Sequence, residues 1–116
     1  MQARVTFLGT GTSHGVPIIG CTCAVCSSAD PRDRRTRPSI YLRVEGGPSV
    51  LVDTSTDLRQ QALTNGVTRV DAILYTHSHV DHSSGLRPFV AEGTTILTHQ
   101  SNKAYLEKVL STPHTL

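Results

Sequence analysis

The stretch Ala72-Ile73-Leu74-Tyr75-Thr76-His77-Ser78-His79-Val80-Asp81-His82 decides how this chain is read. Its first four residues form a continuous apolar run with branched and aromatic members, which predicts a short strand buried on both faces. Three histidines and one aspartate follow at once, so a dense group of polar side chains sits at the C-terminal end of a strand. All four are ligand types for a borderline metal such as zinc. On extended backbone, His77 and His79 project to the same side and can grip one ion, while the adjacent Asp81 and His82 diverge and can reach a second. Two ions about 3.5–4 Å apart can hold a bridging hydroxide at neutral pH and stabilise both oxygens of a displacement, so hydrolysis is the chemistry this spacing suits.

Elements can be placed outward from that segment. Arg4 to Leu8 alternates Arg4 and Thr6 against Val5 and Phe7, the period-two pattern of a half-buried strand, and it opens onto Gly9-Thr10-Gly11-Thr12. Ile40, Leu42 and Val44 alternate with Tyr41 and Arg43, Gly46-Gly47 marks a turn, and Val50-Leu51-Val52 forms the return of a hairpin that ends at Asp53. Thr54 with Asp57 three residues on is a capping-box pattern, and Asn65-Gly66 is a stop signal, which predicts a helix over 55–65. Asp53 then reads either as a brace for the metal segment or as an ordinary cap. Residues 94–98 read as a further strand. Ser101 caps a last helix in which Tyr105 and Val109, and Leu106 and Leu110, stand at helical spacing before Pro113 ends it.

Composition bounds what this arrangement serves. With 116 residues the chain has room for one domain, and 11 Lys+Arg against 9 Asp+Glu leave a formal charge of +2, too little for a nucleic-acid partner without local clustering. Its longest apolar run is the four residues 72–75, against about 20 for a membrane-spanning helix, so no membrane role is expected. The three cysteines fall within six positions, which disfavours a disulfide framework and points to a reducing compartment, the cytoplasm, or to a metal.

Residues 13–38 carry no apolar period, so something besides a core must order them. Cys21-x-Cys23-x-x-Cys26 offers three thiolates to a structural zinc, which takes four ligands in all. The fourth is open between His14, nearest in sequence, and His114 near the chain end, and three small buried thiols remain the plain alternative. Arg32, Arg34, Arg35 and Arg37 form a basic stretch that lines a path for a phosphate-bearing substrate or is simply solvated. The Gly9–Gly15 loop likewise suits either a phosphate or a tight turn.

With Phe7-Leu8-Gly9-Thr10-Gly11 and Leu51-Val52-Asp53 ahead of it, His-x-His-x-Asp-His after an apolar strand resembles the metallo-beta-lactamase superfamily. The segments at residues 9–17, 20–26 and 30–37 further resemble the cyclic phosphodiesterases of the carbon-phosphorus lyase pathway and their relatives. That resemblance implies an α/β (α+β) fold, the first half of an αββα sandwich with a mixed sheet and flanking helices, as a single incomplete domain over 1–116 with 13–38 inserted as a loop. It implies His77 and His79 on a first ion, Asp81 (also catalytic) and His82 on a second, and Asp53 in support. Zn2+ is the expected metal, Mn2+ a second choice, with one structural Zn2+ at Cys21, Cys23 and Cys26. The implied activity is hydrolysis of a small phosphodiester by a metal-bound hydroxide.

The alternatives are a transfer-RNA-processing type of nuclease, which shares the Phe-Leu-Gly-Thr-Gly opening, and a non-catalytic zinc-binding half-domain. The last is suggested because no aspartate follows Asp81, so the bridging carboxylate of the complete site has no counterpart downstream. An exposed inner sheet face leads us to expect a homodimer.

Overall fold

In the computed structural model the described residues are 1–79, 82 and 92–111. They form strands β1 (Ala3–Gly9), β2 (Ser39–Val44), β3 (Ser49–Val52), β4 (Ala72–Tyr75) and β5 (Thr95–Thr98), and helices α1 (Leu58–Asn65) and α2 (Gln100–Ser111). The five strands lie in sequence order in one sheet. β1, β2 and β3 pair antiparallel, whereas β3, β4 and β5 pair parallel. This mixed α/β sheet is the predicted one. The change from antiparallel to parallel follows from the connections: Gly46-Gly47 closes a tight hairpin, while α1 provides the longer crossover that a parallel neighbour requires.

One face of the sheet is packed. Leu8, Leu51, Ile73 and Tyr75 on the strands meet Leu58 of α1 and Leu106 of α2, and Leu51 and Ile73 are entirely buried. Full burial of such aliphatic side chains is worth about 1.5–3 kcal/mol each. On the opposite face, strand register builds two apolar rows. One runs Val5, Leu42, Val50, Ala72, and the other Phe7, Ile40, Val52, Leu74, Leu97. Phe7 is 67% exposed and Leu74 41%. The expectation that residues 72–75 are buried on both faces is therefore corrected: an unbroken apolar run reports that neither face is polar, and does not report what covers them.

Two predicted caps are also replaced. Helix α1 starts at Leu58, not at 55, because Thr54 is completely buried and turned inward, while the Asp57 carboxylate accepts from the Arg37 backbone N–H at 2.9 Å and pairs with its guanidinium at 3.1 Å. Its end is as expected, with Gly66 at φ 63° in the left-handed region that a side chain would strain. At the start of α2 it is His99, not Ser101, that caps: its Nδ1 accepts from the Ser101 backbone N–H at 3.2 Å and from its hydroxyl at 2.8 Å.

The long loop between β1 and β2 is tied down by backbone contacts at its root. Gly11 N–H donates to Thr36 O at 2.7 Å, and Val16 and Arg35 exchange both backbone bonds at 2.8 Å. A Cβ on Gly9 would stand 2.0 Å from the Arg37 carbonyl oxygen, and one on Gly11 2.5 Å from that of Arg35. Close approach of two backbones accounts for these glycines. Two arginines serve the same end, Arg35 donating to Thr10 O at 3.2 Å and Arg37 to Ser13 O at 2.9 Å, while Arg32 makes only a local, exposed pair with Asp30.

Candidate metal centre

The centre is built from the ends of β3 and β4, which run parallel and so deliver Asp53 and Thr76 side by side. Asp53 is buried and adopts φ 58°, a left-handed conformation that aspartate tolerates better than most side chains. Its Oδ1 accepts from the Thr76 backbone N–H at 2.9 Å and its Oδ2 from the Thr76 hydroxyl at 2.6 Å. The same Oδ2 lies 2.9 Å from Nδ1 of His82. Asp53 thus reaches the residue before the histidine segment and the residue at its far end.

These contacts fix the histidine tautomers. A carboxylate only accepts, so the Asp53 contact requires the proton of His82 on Nδ1, leaving Nε2 as the basic nitrogen. Thr76 gives its hydroxyl proton to Asp53, so His77, whose Nδ1 is 2.8 Å from the Thr76 oxygen, donates to that oxygen from Nδ1. Its Nε2 is again left basic. Orienting contacts of this kind are what a metal-ligating histidine needs. Ligand atoms of Asp53, His77 and His82 all lie within 4.8 Å of one another. The His77 ring stands 3.9 Å from that of His82 and 4.8 Å from that of His79, the latter nearly perpendicular. The donor set fits a borderline divalent ion. Asp81 lies outside the described residues.

A buried polar layer supports the centre. Thr54 N–H donates to the His82 carbonyl at 2.6 Å, and the Thr54 hydroxyl bonds the phenol of Tyr75. Burial, together with the nearby Asp53 charge, pushes the Tyr75 phenol well above its ordinary pKa, so it stays protonated and available as a donor. The sequence does not mark Tyr75 or Thr76 as part of a site, and it marks Thr54 only as a helix cap. The available signal was their position, at the strand ends that flank Asp53 and His77.

The cysteines form a second group. The sulfurs of Cys21, Cys23 and Cys26 lie within 4.8 Å of one another. Ile18 N–H points at Cys26 Sγ at 3.4 Å and Cys26 N–H at Cys23 Sγ at 3.5 Å. The Cys26 amide, with help from the Cys21 thiol, draws the Cys23 pKa down to about 7. Cys26 moves up despite the Ile18 amide, through burial and its two sulfur neighbours. Three grouped sulfurs with one poised to ionise suit a thiophilic ion. His14 is not part of the group, and His114 lies outside the described residues.

Comparison with known proteins agrees with this architecture. The Metallo-beta-lactamase superfamily profile matches residues 33–108, and the chain belongs to that superfamily. It is 47% identical to a solved diphosphatase of the PhnP family, with a TM-score of 0.83, over 94% of this chain and 46% of that one. It is 27% identical to Zn(2+)-bound PqqB from Methylobacterium extorquens, with a TM-score of 0.74, over 96% of this chain and 46% of that one. An octanoyltransferase of Porphyromonas gingivalis is 45% identical over 105 residues, 90% of this chain and 20% of that protein. The chain thus spans a fifth of that curated relative and less than half of either solved chain.

Proposed function

We propose that this chain carries the metal-gripping segment of a hydrolase that cleaves phosphate esters or anhydrides, with a small phosphodiester as the primary substrate class. In this reading His77 and His79 hold one ion, Asp81 and His82 a second, and Asp53 positions the segment through Thr76 and His82. Zinc is the favoured ion and manganese an alternative, with a structural zinc at Cys21, Cys23 and Cys26. A bound divalent ion there would supply Lewis-acid activation of water and of the phosphoryl oxygen. The observation that carries the reading is that Asp53 is bonded to His82 directly and to His77 through Thr76, which leaves Nε2 of each ring basic. The diphosphatase named among the similar structures supports phosphorus as the site of attack. We further propose a cytoplasmic protein that pairs with a second copy and has no nucleic-acid or membrane partner.

Elemental analysis together with turnover of bis-p-nitrophenyl phosphate tests this. About three zinc equivalents per chain are expected on reconstitution, two at the histidine segment and one at the cysteines. His79→Ala should lower the first pair without touching the cysteine ion, and Cys21→Ser should do the reverse. Two protein ligands per ion are fewer than the three usual for a catalytic zinc, so the 116-residue chain should retain those ions weakly on dialysis and turn over slowly. Zinc content unchanged by His79→Ala would overturn the assignment.

A further inference from the structure

At the other end of the sheet lies a cavity of about 830 Å³, lined among others by Arg4, Arg43, Arg69, Tyr41 and Glu45. Ser49 lines it too, four residues or about 13 Å before Asp53 along β3, and neither Asp53 nor a histidine of the candidate metal centre is among the residues that line it. Arg4 and Arg43 are direct partners in the β1–β2 register, and both line the cavity. Like charges placed directly opposite on neighbouring strands are destabilising. Neither guanidinium makes an ion pair or hydrogen bond with another described residue. Arg69 lines the same cavity: its Nε bonds Asp71 at 2.8 Å and its carbonyl accepts from the Tyr41 hydroxyl at 2.8 Å, which leaves its two terminal nitrogens without an acceptor among the described residues. Three arginines and one glutamate, Glu45, thus line the cavity, and of the three arginines only Arg69 has a carboxylate partner among the described residues, Asp71.

We infer that this cavity is a binding site for a diphosphate-bearing anion. Guanidiniums match phosphate oxygens in geometry as well as charge, and two or more phosphate charges would turn the repulsion of Arg4 and Arg43 into a shared attraction. The volume is that of a cofactor-sized ligand site, larger than a bare anion needs. Tyr41, fixed through its hydroxyl, also lines the cavity and is the aromatic residue there that a nucleoside would meet.

The test is calorimetric titration of the metal-free 116-residue chain, in excess EDTA, with ADP in one arm and inorganic pyrophosphate in the other. Saturable one-site binding is expected, weakened about tenfold by Arg43→Gln and about tenfold by Arg4→Gln. Binding should fall as salt is raised. Tighter binding of ADP than of pyrophosphate, lost in Tyr41→Leu, identifies a nucleotide as the source of the diphosphate; equal binding identifies the inorganic ion. The Tm of Arg43→Gln without ligand should equal or exceed that of the parent, because a repulsion has been removed, and this separates lost binding from lost folding. Absence of saturable binding at millimolar anion overturns the inference. So does binding that both arginine variants leave unchanged, or binding that His77→Ala removes.

Discussion

Nδ1 of His82 and Oδ2 of Asp53 stand 2.9 Å apart, joining residues 29 positions apart in the chain, and both side chains are buried. The contact closes the histidine segment onto the end of β3, so the segment's conformation depends on a strand it does not belong to. Asp53→Ala removes the acceptor for His82 and for both Thr76 donors, and puts alanine at a positive φ. Destabilisation of about 2–4 kcal/mol is expected in urea unfolding. Asp53→Asn keeps the shape, so its loss should be smaller in stability, while zinc affinity at the histidines should fall about 10–100-fold in a calorimetric titration.

The Thr54–Tyr75 hydrogen bond invites a double-mutant cycle. Thr54→Val strands the buried Tyr75 hydroxyl and should cost about 1–3 kcal/mol, whereas Tyr75→Phe leaves the Thr54 hydroxyl its contact with the His82 carbonyl at 3.4 Å and should cost less. The double variant should cost less than the sum, since it removes both polar groups together. Strict additivity would mean that the two hydroxyls do not depend on each other.

Tyr75 also predicts a pH response. Its folded-state pKa lies above the ordinary value of 10.0, so the stabilisation is complete below pH 10 and is lost as pH rises beyond it, where the unfolded chain ionises first. Stability measured from neutral pH to above 10 should decline in the parent, and the part due to this residue should vanish in Tyr75→Phe.

Asp71 acts with the opposite sign. The Ser49 backbone N–H, at 2.7 Å, and then Arg69 hold its carboxyl below the ordinary 3.8. Its contribution is present above that value and disappears as pH falls through the lowered folded-state pKa. Asp71→Asn should therefore unfold with a shallower acid dependence below about pH 4. An acid limb identical to the parent's would remove Asp71 from the account.

How much of this was legible in the sequence depended on the range of the interactions. The hairpin of β2 and β3 could be read because alternation and a glycine turn are local signals. The grouping of Cys21, Cys23 and Cys26 was visible for the same reason, since three thiols within six residues cannot be far apart. The role of Thr54 could not be read. Locally it has the pattern of a helix cap, and only the parallel placement of β3 against β4 shows that Tyr75 and His82 claim its polar groups. Leu74 repeats the lesson on the apolar side, because its exposure depends on what packs over the far face and not on its neighbours in sequence.

Gly9 and Gly11 carry a consequence for anyone altering this protein. The space a methyl group would fill at each is already taken by the main chain of residues 35–37, at 2.0 and 2.5 Å. No neighbouring side chain can be trimmed to make room, since the obstacle is a carbonyl oxygen that every amino acid possesses. A saturation library at these two positions should therefore return glycine alone, and no compensating second substitution should rescue the losses. Where the cysteine-bearing loop leaves β1, positions 9 and 11 each admit one residue type.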